Sequence, residues 1–223
     1  MWPSISIIVP VLNEEAEIAG LLEHLMALRP HEVIIADGGS TDATLSRASR
    51  ARVVEGASGR GPQLNAGAAA ACGDVLLFLH ADVRLAPTAL KEIQRAMLEY
   101  GVAGGNLDII YLGGWEAGLF TRINRLRRRF HVFYGDSGIF CRREVFERLG
   151  GYRDWPLLED YEFARRLSRA GRLALLESPI QVSARRWQRG GLFTTLWSWF
   201  WIQALYLAGV SPHKLASMYR HVR

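Results

Sequence analysis

The sequence contains only two cysteines, Cys72 and Cys141, which lie far apart among its 223 residues. Two cysteines are too few for a disulfide framework or for a zinc site made of cysteines. We therefore expect a reducing, cytoplasmic environment. The sequence also lacks a basic segment at its start, because Met1-Trp2-Pro3 leads directly into an apolar run. We expect no signal peptide.

Internal repeats, low-complexity segments and an obvious linker are also absent from the sequence. Hydrophobic residues make up 49% of the chain and charged residues 22%, which allows a substantial core and excludes a disordered chain. A chain of this length suits one large domain or a domain with a small appendage. We expect a domain at 1–190 and a helical extension at 191–223 that packs on the domain or on a membrane surface.

The net charge of +5 is distributed unevenly along the chain. Residues 1–100 hold 8 Lys or Arg against 12 Asp or Glu, whereas residues 101–223 hold 19 against 10. A basic half favours a phosphate-bearing ligand, an anionic membrane surface or nucleic acid as partner. Aromatic residues interleaved with basic ones on a strand platform are not evident, so we rank nucleic acid last and expect no such partner.

The first hundred residues alternate between strand-like and helix-like patterns. Asn13 is expected to cap the first helix, whose acidic first turn suits the positive end of the helix dipole. The second half is less regular, although two helical patterns stand out. The predicted strands lie at 5–9, 33–36, 53–54 and 75–79, and the main predicted helices at 13–28, 61–73, 87–100, 115–130 and 159–170.

Strands separated by helices of this length predict a mostly parallel sheet, in which ligands bind outside the carboxyl ends of the strands. Three of these ends carry polar residues. They are Asn13 with Glu14, Asp37, and His80 with Asp82.

Four segments taken together resemble family 2 glycosyltransferases of the GT-A fold: "SIIVPVLNEEAEI", "VIIADGGSTDAT", "LLFLHADV" and "LLEDYEFARRLSRAG". The resemblance covers residues 4 to 188. It is closest to a small bacterial subgroup with "HAD" in place of Asp-X-Asp. It implies an α/β fold with a mostly parallel, Rossmann-like central sheet flanked by helices and a helical C-terminal segment. It also implies an enzyme that uses a nucleotide-diphosphate sugar, usually with inversion at the anomeric carbon.

The resemblance assigns the nucleotide to residues near the first two strand ends and to one arginine. Asp37 would accept a hydrogen bond from the base, typically uracil, although an aspartate before two glycines is also an ordinary turn residue. Pro10, Leu12 and Glu14 would frame the nucleoside, and Glu14 has the alternative of serving only the helix dipole. Arg60 would reach the base or the phosphates, or it is a solvated loop arginine.

The "HAD" segment is expected to bind the donor diphosphate through a divalent cation. The resemblance places Ala81 and Asp82 beside the diphosphate, with Asp82 and His80 as ligands of Mn²⁺ or Mg²⁺. Mg²⁺ and Mn²⁺ need only one or two carboxylates when phosphate oxygens complete the shell. Imidazole binds Mn²⁺ better than Mg²⁺, so His80 hints at Mn²⁺. The alternative for His80 is a hydrogen bond to the ribose or to a neighbour.

The remaining expected site residues concern the acceptor and the chemical step. By resemblance Asp160 is the base that deprotonates the acceptor hydroxyl, and Glu159 orients it. Two acids at a helix start are also good dipole partners. Asp136 and Ser137 in "YGDSGIF" are expected near the acceptor or the donor sugar, with the alternative that Asp136 caps or braces the loop. "SARRW" resembles a motif of processive relatives in which glutamine stands where Ser183 does, so we expect a non-processive enzyme. Two further residues come from that segment: Arg186 at the diphosphate and Trp187 at the acceptor.

Residues 192–210 form a run of 19 uncharged residues that includes three tryptophans. This is close to the length that spans a bilayer, but tryptophan density favours the membrane interface. One interpretation is peripheral contact with the inner face of the cell membrane, which would suit a lipid-linked acceptor. The other is a core helix or a homodimer contact.

These features predict a cytoplasmic, metal-dependent, inverting glycosyltransferase with a nucleotide-diphosphate sugar donor, UDP-linked by preference, and an unidentified hydroxyl acceptor. The alternative is a non-catalytic nucleotide-sugar-binding protein on the same fold. The presence of both Asp82 and Asp160 favours the enzyme.

Overall fold

The computed structural model of the chain describes residues 1–56, 58–183 and 192–219. These residues form an α/β structure built on one eight-stranded sheet with helices on both faces.

The first half of the chain alternates between strands and helices, as the sequence predicts. Its elements are β1 (Ile5–Val11), α1 (Ile18–Ala27), β2 (Glu32–Asp37), α2 (Thr44–Arg47), β3 (Arg52–Glu55), α3 (Arg60–Ala70), β4 (Val75–Phe78), β5 (Val83–Leu85) and α4 (Ala89–Met97).

The second half contains three further strands and most of the long helices. Its elements are β6 (Val102–Leu112), α5 (Trp115–Arg129), a short 3-10 turn (Gly135–Ser137), β7 (Ile139–Arg142), α6 (Arg143–Leu149), α7 (Glu159–Ala170), β8 (Arg172–Ser183), α8 (Leu192–Leu207) and α9 (Pro212–Tyr219).

The strands are arranged in the order β3-β2-β1-β4-β7-β6-β8-β5. β1 pairs in parallel with β2 and β4, and β2 pairs in parallel with β3. β7 runs antiparallel to both of its neighbours, and β5 runs antiparallel to β8. The sheet is therefore mainly parallel, with two reversed strands in its second half, and the expected fold class is confirmed.

Alternating side chains of the strands divide the core into two layers. Ile7 and Val9 of β1 point into the layer that α1 and α4 cover. Ile8 points the opposite way, into the layer that α3, α6 and α7 cover. Because both faces of β1 are buried, its sequence is a continuous apolar run rather than an alternating one.

The sequence predicted some helices better than others. α7 begins and ends where the pattern placed it, and α5 differs by one residue. The expected cap at Asn13 is wrong, since α1 begins five residues later at Ile18. Asn13 instead has a positive φ of 56°, and its Oδ1 accepts a hydrogen bond of 2.8 Å from the Thr41 N–H. A turn that links two rim loops takes the place of a helix start.

α8 and α9 make the expected helical C-terminal segment. Leu205 and Tyr206 of α8 pack with Tyr161 of α7 and Leu215 of α9 in a small apolar cluster. Among the described residues, none of the helices combines the length and the apolar character that crossing a bilayer requires. The boundary expected at residue 190 falls outside the described residues and stays a prediction.

Candidate active site

The carboxyl ends of β1, β2 and β4 lie side by side, because these strands are parallel neighbours in the sheet. The segments that follow them carry Glu14, Asp37, His80 and Asp82. The structure therefore brings the three polar strand ends to one edge of the sheet, where ligands of open α/β sheets bind. Each side chain at this rim is described below from its own contacts.

The Asp37 carboxylate is buried and organises the turn that follows β2. Its Oδ2 accepts hydrogen bonds from the N–H groups of Gly39 (2.8 Å) and Ser40 (2.9 Å), and its Oδ1 accepts one from the Ser40 hydroxyl. Burial raises the pKa of Asp37, but these hydrogen bonds outweigh it and hold the pKa below its ordinary value. A carboxylate offers about four acceptor sites, so Oδ1 retains one that these three hydrogen bonds do not use.

Gln63 fixes the start of α3 against this rim. Its Nε2 donates hydrogen bonds to the carbonyl oxygens of Val11 (2.7 Å) and Ala36 (2.9 Å), at the ends of β1 and β2. The side chain is buried, so these bonds are shielded from water. Gln63 thereby places Arg60, the first residue of α3, beside the strand ends.

The same helix is held from its other side by the loop before α7. The Asn65 side chain donates to the carbonyl of Tyr152 and accepts from the N–H of the same residue, at 2.9 and 2.8 Å. A Cβ on Gly61 would lie 2.2 Å from the carbonyl oxygen of Arg153, so this close approach requires glycine. α3 and the loop that leads to Glu159 are thus locked together.

Arg60 and Glu159 meet across this junction. The Arg60 Nη1 lies 3.5 Å from the Glu159 Oε1, with 36% of the arginine side chain and 4% of the glutamate side chain exposed. This is an ion pair without hydrogen-bond geometry, and Oε1 has no hydrogen-bond partner among the described residues. Arg60 thus begins a helix and pairs with a buried acid, whereas the sequence left open a nucleotide contact or a solvated loop arginine.

The pKa of Glu159 is raised to about 7, first by burial and then by the negative charge of Asp160, while Arg60 lowers it. A carboxyl group in this range exchanges protons near neutral pH. A negative ligand that drew Arg60 away would raise this pKa further, whereas a cation would lower it.

Asp160 is held by two backbone hydrogen bonds. Its Oδ2 accepts one of 2.7 Å from the N–H of Gly135, and its Oδ1 accepts one of 2.6 Å from the N–H of Tyr161. A Cβ on Gly135 would lie 2.8 Å from the His80 Nε2 and 3.2 Å from the Asp160 Oδ2. The His80 Nε2 and the Asp160 Oδ2 are therefore no further apart than the sum of those two distances.

The loop that contains Gly135 also holds the two residues expected near the acceptor. The Asp136 Oδ2 accepts a hydrogen bond of 3.0 Å from the Tyr111 hydroxyl. Ser137 is fully buried, and its hydroxyl donates to the Tyr134 carbonyl at 2.6 Å. Asp136 therefore braces the loop, the alternative that the sequence left open, and the Ser137 hydroxyl is committed to the loop backbone.

His80, Ala81 and Asp82 connect β4 with β5, and residues 81 and 82 form a turn. Because residues 81 and 82 form a turn, the period-two alternation of a strand does not determine on which side His80 and Asp82 lie. Ala81 is buried, His80 is half-buried and Asp82 is exposed.

The donor set suits a cation that arrives with its ligand. Within the described residues, no three His, Cys, Asp or Glu side chains are grouped to hold a metal ion. An ion bound mainly by diphosphate oxygens and water needs only one or two protein carboxylates. The exposed carboxylate of Asp82 at the rim fits that requirement, and His80 lies two residues away in the same turn.

Glu14 links the β1 end electrostatically to this group. Its pKa is raised by burial, then by the negative charges of Asp82, Glu17 and Asp42, and it is lowered by Arg60. Glu14 is therefore within electrostatic range of both Asp82 and Arg60.

Two more residues of the expected nucleoside frame lie at the same strand end. Pro10 is half-buried near the end of β1, and Leu12, the first residue beyond this strand, has 52% of its surface exposed. Two other expected contacts, Arg186 and Trp187, lie outside the described residues.

The contact between Gly135 and Asp160 was not foreseen from the sequence. The polar side chains of "YGDSGIF" predict that this segment lies near the site, whereas its glycine predicts no hydrogen bond to Asp160. A backbone N–H leaves no trace in residue type, so only the glycine itself was a signal.

A cavity of about 510 Å³ lies elsewhere, at the amino ends of β1 and β2. Its lining includes Trp2, Arg29, His31 and Lys91 and none of the rim residues. This cavity therefore does not coincide with the candidate site, which is marked instead by the grouping of titratable side chains.

Comparisons with known proteins agree with this architecture. A sequence model of the family described as "Glycosyl transferase family 2" matches residues 6–150. An undecaprenyl-phosphate 4-deoxy-4-formamido-L-arabinose transferase of Aeromonas hydrophila is 33% identical over an alignment of 116 residues, and the match covers 45% of this chain and 36% of that protein. A glucosyl-3-phosphoglycerate synthase of Mycobacterium tuberculosis is 36% identical over 94 residues, 36% of this chain and 29% of that protein. The matched part thus spans about a third of these relatives' length.

Solved structures share the fold at low sequence identity. The mannosyltransferase PcManGT from Pyrobaculum calidifontis, in complex with GDP-Man and Mn²⁺, has a TM-score of 0.69 at 19% identity over 92% of this chain and 62% of that chain. S. aureus TarS 1-349, in complex with UDP-GlcNAc, has a TM-score of 0.68 at 20% identity, and the match covers 82% of this chain and 59% of that chain. Glucosyl-3-phosphoglycerate synthase from M. tuberculosis, with Mn²⁺ and UDP-glucose, has a TM-score of 0.57 at 24% identity, and the match covers 79% of this chain and 70% of that chain.

The solved structures are glycosyltransferases of the GT-A fold, so they confirm the predicted architecture. The family model covers well over half of the chain and includes the first three rim segments. The chain belongs to glycosyl transferase family 2.

Proposed function

We propose that the protein is an inverting, non-processive glycosyltransferase that moves a sugar from a UDP-linked donor to a hydroxyl group of a lipid-linked acceptor. The observation that carries the proposal is the convergence of Asp160, His80, Glu159 and Arg60 at the carboxyl edge of the sheet. Family membership supports the reaction class. Nucleotide-sugar complexes of proteins with the same fold support the donor class.

The donor would lie along the ends of β1, β2 and β4. Pro10, Leu12 and the open acceptor site of Asp37 would receive the nucleoside. The guanidinium of Arg60 would approach the phosphates, since its planar fork matches their oxygens. Arg60 would then exchange part of its pairing with Glu159 for the ligand.

A divalent cation bound with the diphosphate would supply charge stabilisation for the leaving nucleoside diphosphate. Asp82 would hold it, with Ala81 shaping the turn and His80 as a second ligand. Solved structures of the same fold that contain Mn²⁺ support the choice of Mn²⁺ over Mg²⁺, as does the imidazole of His80.

Asp160 would act as the general base. The acceptor oxygen attacks the anomeric carbon, its proton passes to the Asp160 carboxylate, and the bond from that carbon to the phosphate oxygen breaks with its electron pair leaving on the diphosphate. The two backbone N–H groups that hold Asp160 fix its direction and leave each oxygen with a further acceptor site. Glu159, with its raised pKa, would orient the acceptor as a neutral hydrogen-bonding partner.

The lipid-linked acceptor is supported by one relative, whose name specifies undecaprenyl phosphate as its substrate. A cytoplasmic location at the inner face of the membrane follows from such an acceptor as part of the proposal. Contact of residues 192–210 with a second copy of the chain stays a prediction.

The proposal is tested with nucleoside diphosphates and their sugars, screened by thermal shift with and without Mn²⁺, followed by release of UDP in the presence of lipid phosphates. We expect stabilisation by UDP that needs the metal, and turnover that falls roughly 10²–10⁴-fold in Asp160→Asn. The control is Asp154→Asn, an exposed acid in the loop before α7. Metal-dependent UDP binding without turnover of any donor would instead support a non-catalytic nucleotide-sugar-binding protein.

A further inference from the structure

Two helices of the second half leave apolar and aromatic side chains exposed to solvent. On α5 the exposed fractions are 73% for Trp115, 41% for Leu119 and 57% for Leu126, and Phe130, which directly follows the helix, is 74% exposed. On α8 they are 65% for Trp197, 60% for Phe200, 45% for Trp201 and 65% for Leu207. Exposed large apolar residues grouped in this way mark an interaction site rather than ordinary surface.

The buried face of α5 fixes the orientation of this helix, so its exposed apolar side chains are held at the surface. Its exposed apolar residues recur at spacings of four, seven and four along the helix, which places them on one face. The opposite face packs on β6 and β8 through Phe120 and the buried Arg128, whose guanidinium bonds to Asp108 and to the Leu176 carbonyl.

Cations share the exposed face of α5. Arg122 and Arg129 lie at helical spacing among the apolar residues and are both exposed. Glu116 is the only acidic residue of α5, and α8 carries no charged residue at all. Aromatic side chains mixed with arginine and nearly free of acids are typical of helices that lie in the headgroup region of a membrane.

The two helices are connected to each other and to the candidate active site. The rings of Phe120 on α5 and Trp199 on α8 are 5.9 Å apart. The Tyr134 hydroxyl donates a hydrogen bond of 2.9 Å to the Gln203 Oε1 of α8. Tyr134 directly precedes Gly135, whose N–H binds Asp160. α8 therefore rests on the loop that holds the proposed base.

We propose that the exposed faces of α5 and α8 form a docking surface for an anionic lipid bilayer. The docking surface consists of Trp115, Leu119, Arg122, Leu126 and Arg129 of α5, the adjoining Phe130, and Trp197, Phe200, Trp201 and Leu207 of α8.

The charge of the surface selects this occupant over another protein or a second copy of the chain. Arginines within an apolar face repel the same face of a second copy, whereas anionic headgroups neutralise them while the tryptophans enter the interface. α8 is 16 residues long, shorter than the roughly 20 residues that span a bilayer, which suits a helix lying on the surface. The inference rests on the proposed function in one respect: the bilayer would present the lipid-linked acceptor beside Asp160.

Vesicle flotation with the full chain tests the docking surface. The vesicles contain phosphatidylcholine alone or phosphatidylcholine mixed with phosphatidylglycerol. We expect binding only to the anionic vesicles, and a partition coefficient that falls roughly tenfold or more in the double variant Arg122→Glu with Arg129→Glu. Trp197→Ser with Trp201→Ser should weaken binding to a similar degree.

Matched controls separate the surface from general effects of charge and hydrophobicity. Arg50→Glu with Arg95→Glu changes two exposed arginines elsewhere, and Leu98→Ser with Tyr100→Ser removes two exposed apolar residues elsewhere. Both control proteins should float as the unchanged protein does. Equal loss of binding in the controls and the surface variants would overturn the assignment.

A second copy of the chain as occupant gives a different result. In that case light scattering would show a dimer that the Trp197 and Trp201 variant dissociates, with no vesicle binding, and this would overturn the inference. Donor binding separates the two proposals, because UDP binding does not involve the docking surface. Normal UDP binding and turnover without vesicle flotation would contradict only the proposed docking surface. Vesicle flotation without UDP binding would contradict only the proposed function.

Discussion

The carboxylate of Asp160 accepts a hydrogen bond of 2.7 Å from the backbone N–H of Gly135. This contact joins the start of α7 to the loop between α5 and β7, two parts of the chain 25 residues apart. It fixes the direction of the side chain that we assign as general base. The position of the proposed general base thus depends on a residue that contributes no side chain.

Gly135→Ala should disturb this arrangement. The added Cβ would lie 2.8 Å from the His80 Nε2 and 3.2 Å from the Asp160 Oδ2, so both side chains must shift. We expect turnover to fall roughly tenfold to a hundredfold, since small displacements of positioned groups are costly. Steady-state kinetics measures the loss, and Gly20→Ala, an exposed helical glycine, is the control. Unchanged turnover would show that the positions of these two groups do not matter for the reaction.

Glu159 should make stability depend on pH. Its pKa is raised from an ordinary value of 4.5 to about 7, so the folded state binds more protons than the unfolded state between those values. Stability is therefore lost as the pH rises through about 7. Glu159→Gln removes this loss, and its free energy of unfolding relative to the unchanged protein should rise by roughly 1–3 kcal/mol across this window. Urea unfolding at several pH values measures the difference; a difference that stays constant with pH would contradict the raised pKa.

Two arginines that share one carboxylate should differ in their importance for stability. Arg128 and Arg125 both pair with Asp108, at 2.9 and 2.7 Å, but 8% of the Arg128 side chain is exposed against 54% for Arg125. Removing a partner from a buried pair leaves an uncompensated charge and costs about 3–5 kcal/mol. An exposed pair is worth about 0–1 kcal/mol. Chemical denaturation should show Arg128→Ala as the far more damaging change, and equal losses would contradict the burial argument.

His80→Asp should alter the choice of metal. Replacing imidazole with a carboxylate gives the turn two oxygen ligands, which favours Mg²⁺ relative to Mn²⁺. The preference for Mn²⁺ in UDP binding should fall several-fold, measured by titration with each ion. The control is His31→Asp, an exposed histidine near the amino end of β2. An unaltered preference would favour the alternative in which His80 bonds to the ribose or to a neighbour.

The sequence predicted the first half of the fold better than the second for physical reasons. β1 and β4 are apolar runs buried on both faces, so their composition alone identifies them. β6 escapes such recognition, because Gly104 and Gly105 interrupt it and it buries the polar residues Asn106 and Asp108. The partner that justifies those polar residues is Arg128, which lies on a helix 20 residues further along the chain.

The candidate site shows the same division. Asp37 and Asp82 lie at or just beyond strand ends, so the sequence pattern places them at one edge of a sheet, whereas Asp160 was assigned to the site by the family resemblance. The role of Gln63 in binding the ends of β1 and β2, and that of the Gly135 N–H, come from tertiary contacts that no local pattern encodes. The titratable groups could be named from residue type alone, whereas the contacts that hold them in place are visible only in the folded structure.

The most direct test of the central claim is calorimetric titration of UDP in the presence of Mn²⁺, paired with donor turnover, for the unchanged protein, Asp82→Asn and Asp160→Asn. The account predicts that Asp82→Asn loses metal-dependent UDP binding, whereas Asp160→Asn binds UDP normally and loses turnover roughly 10²-fold or more. Metal-dependent binding and turnover that survive in both variants would contradict it.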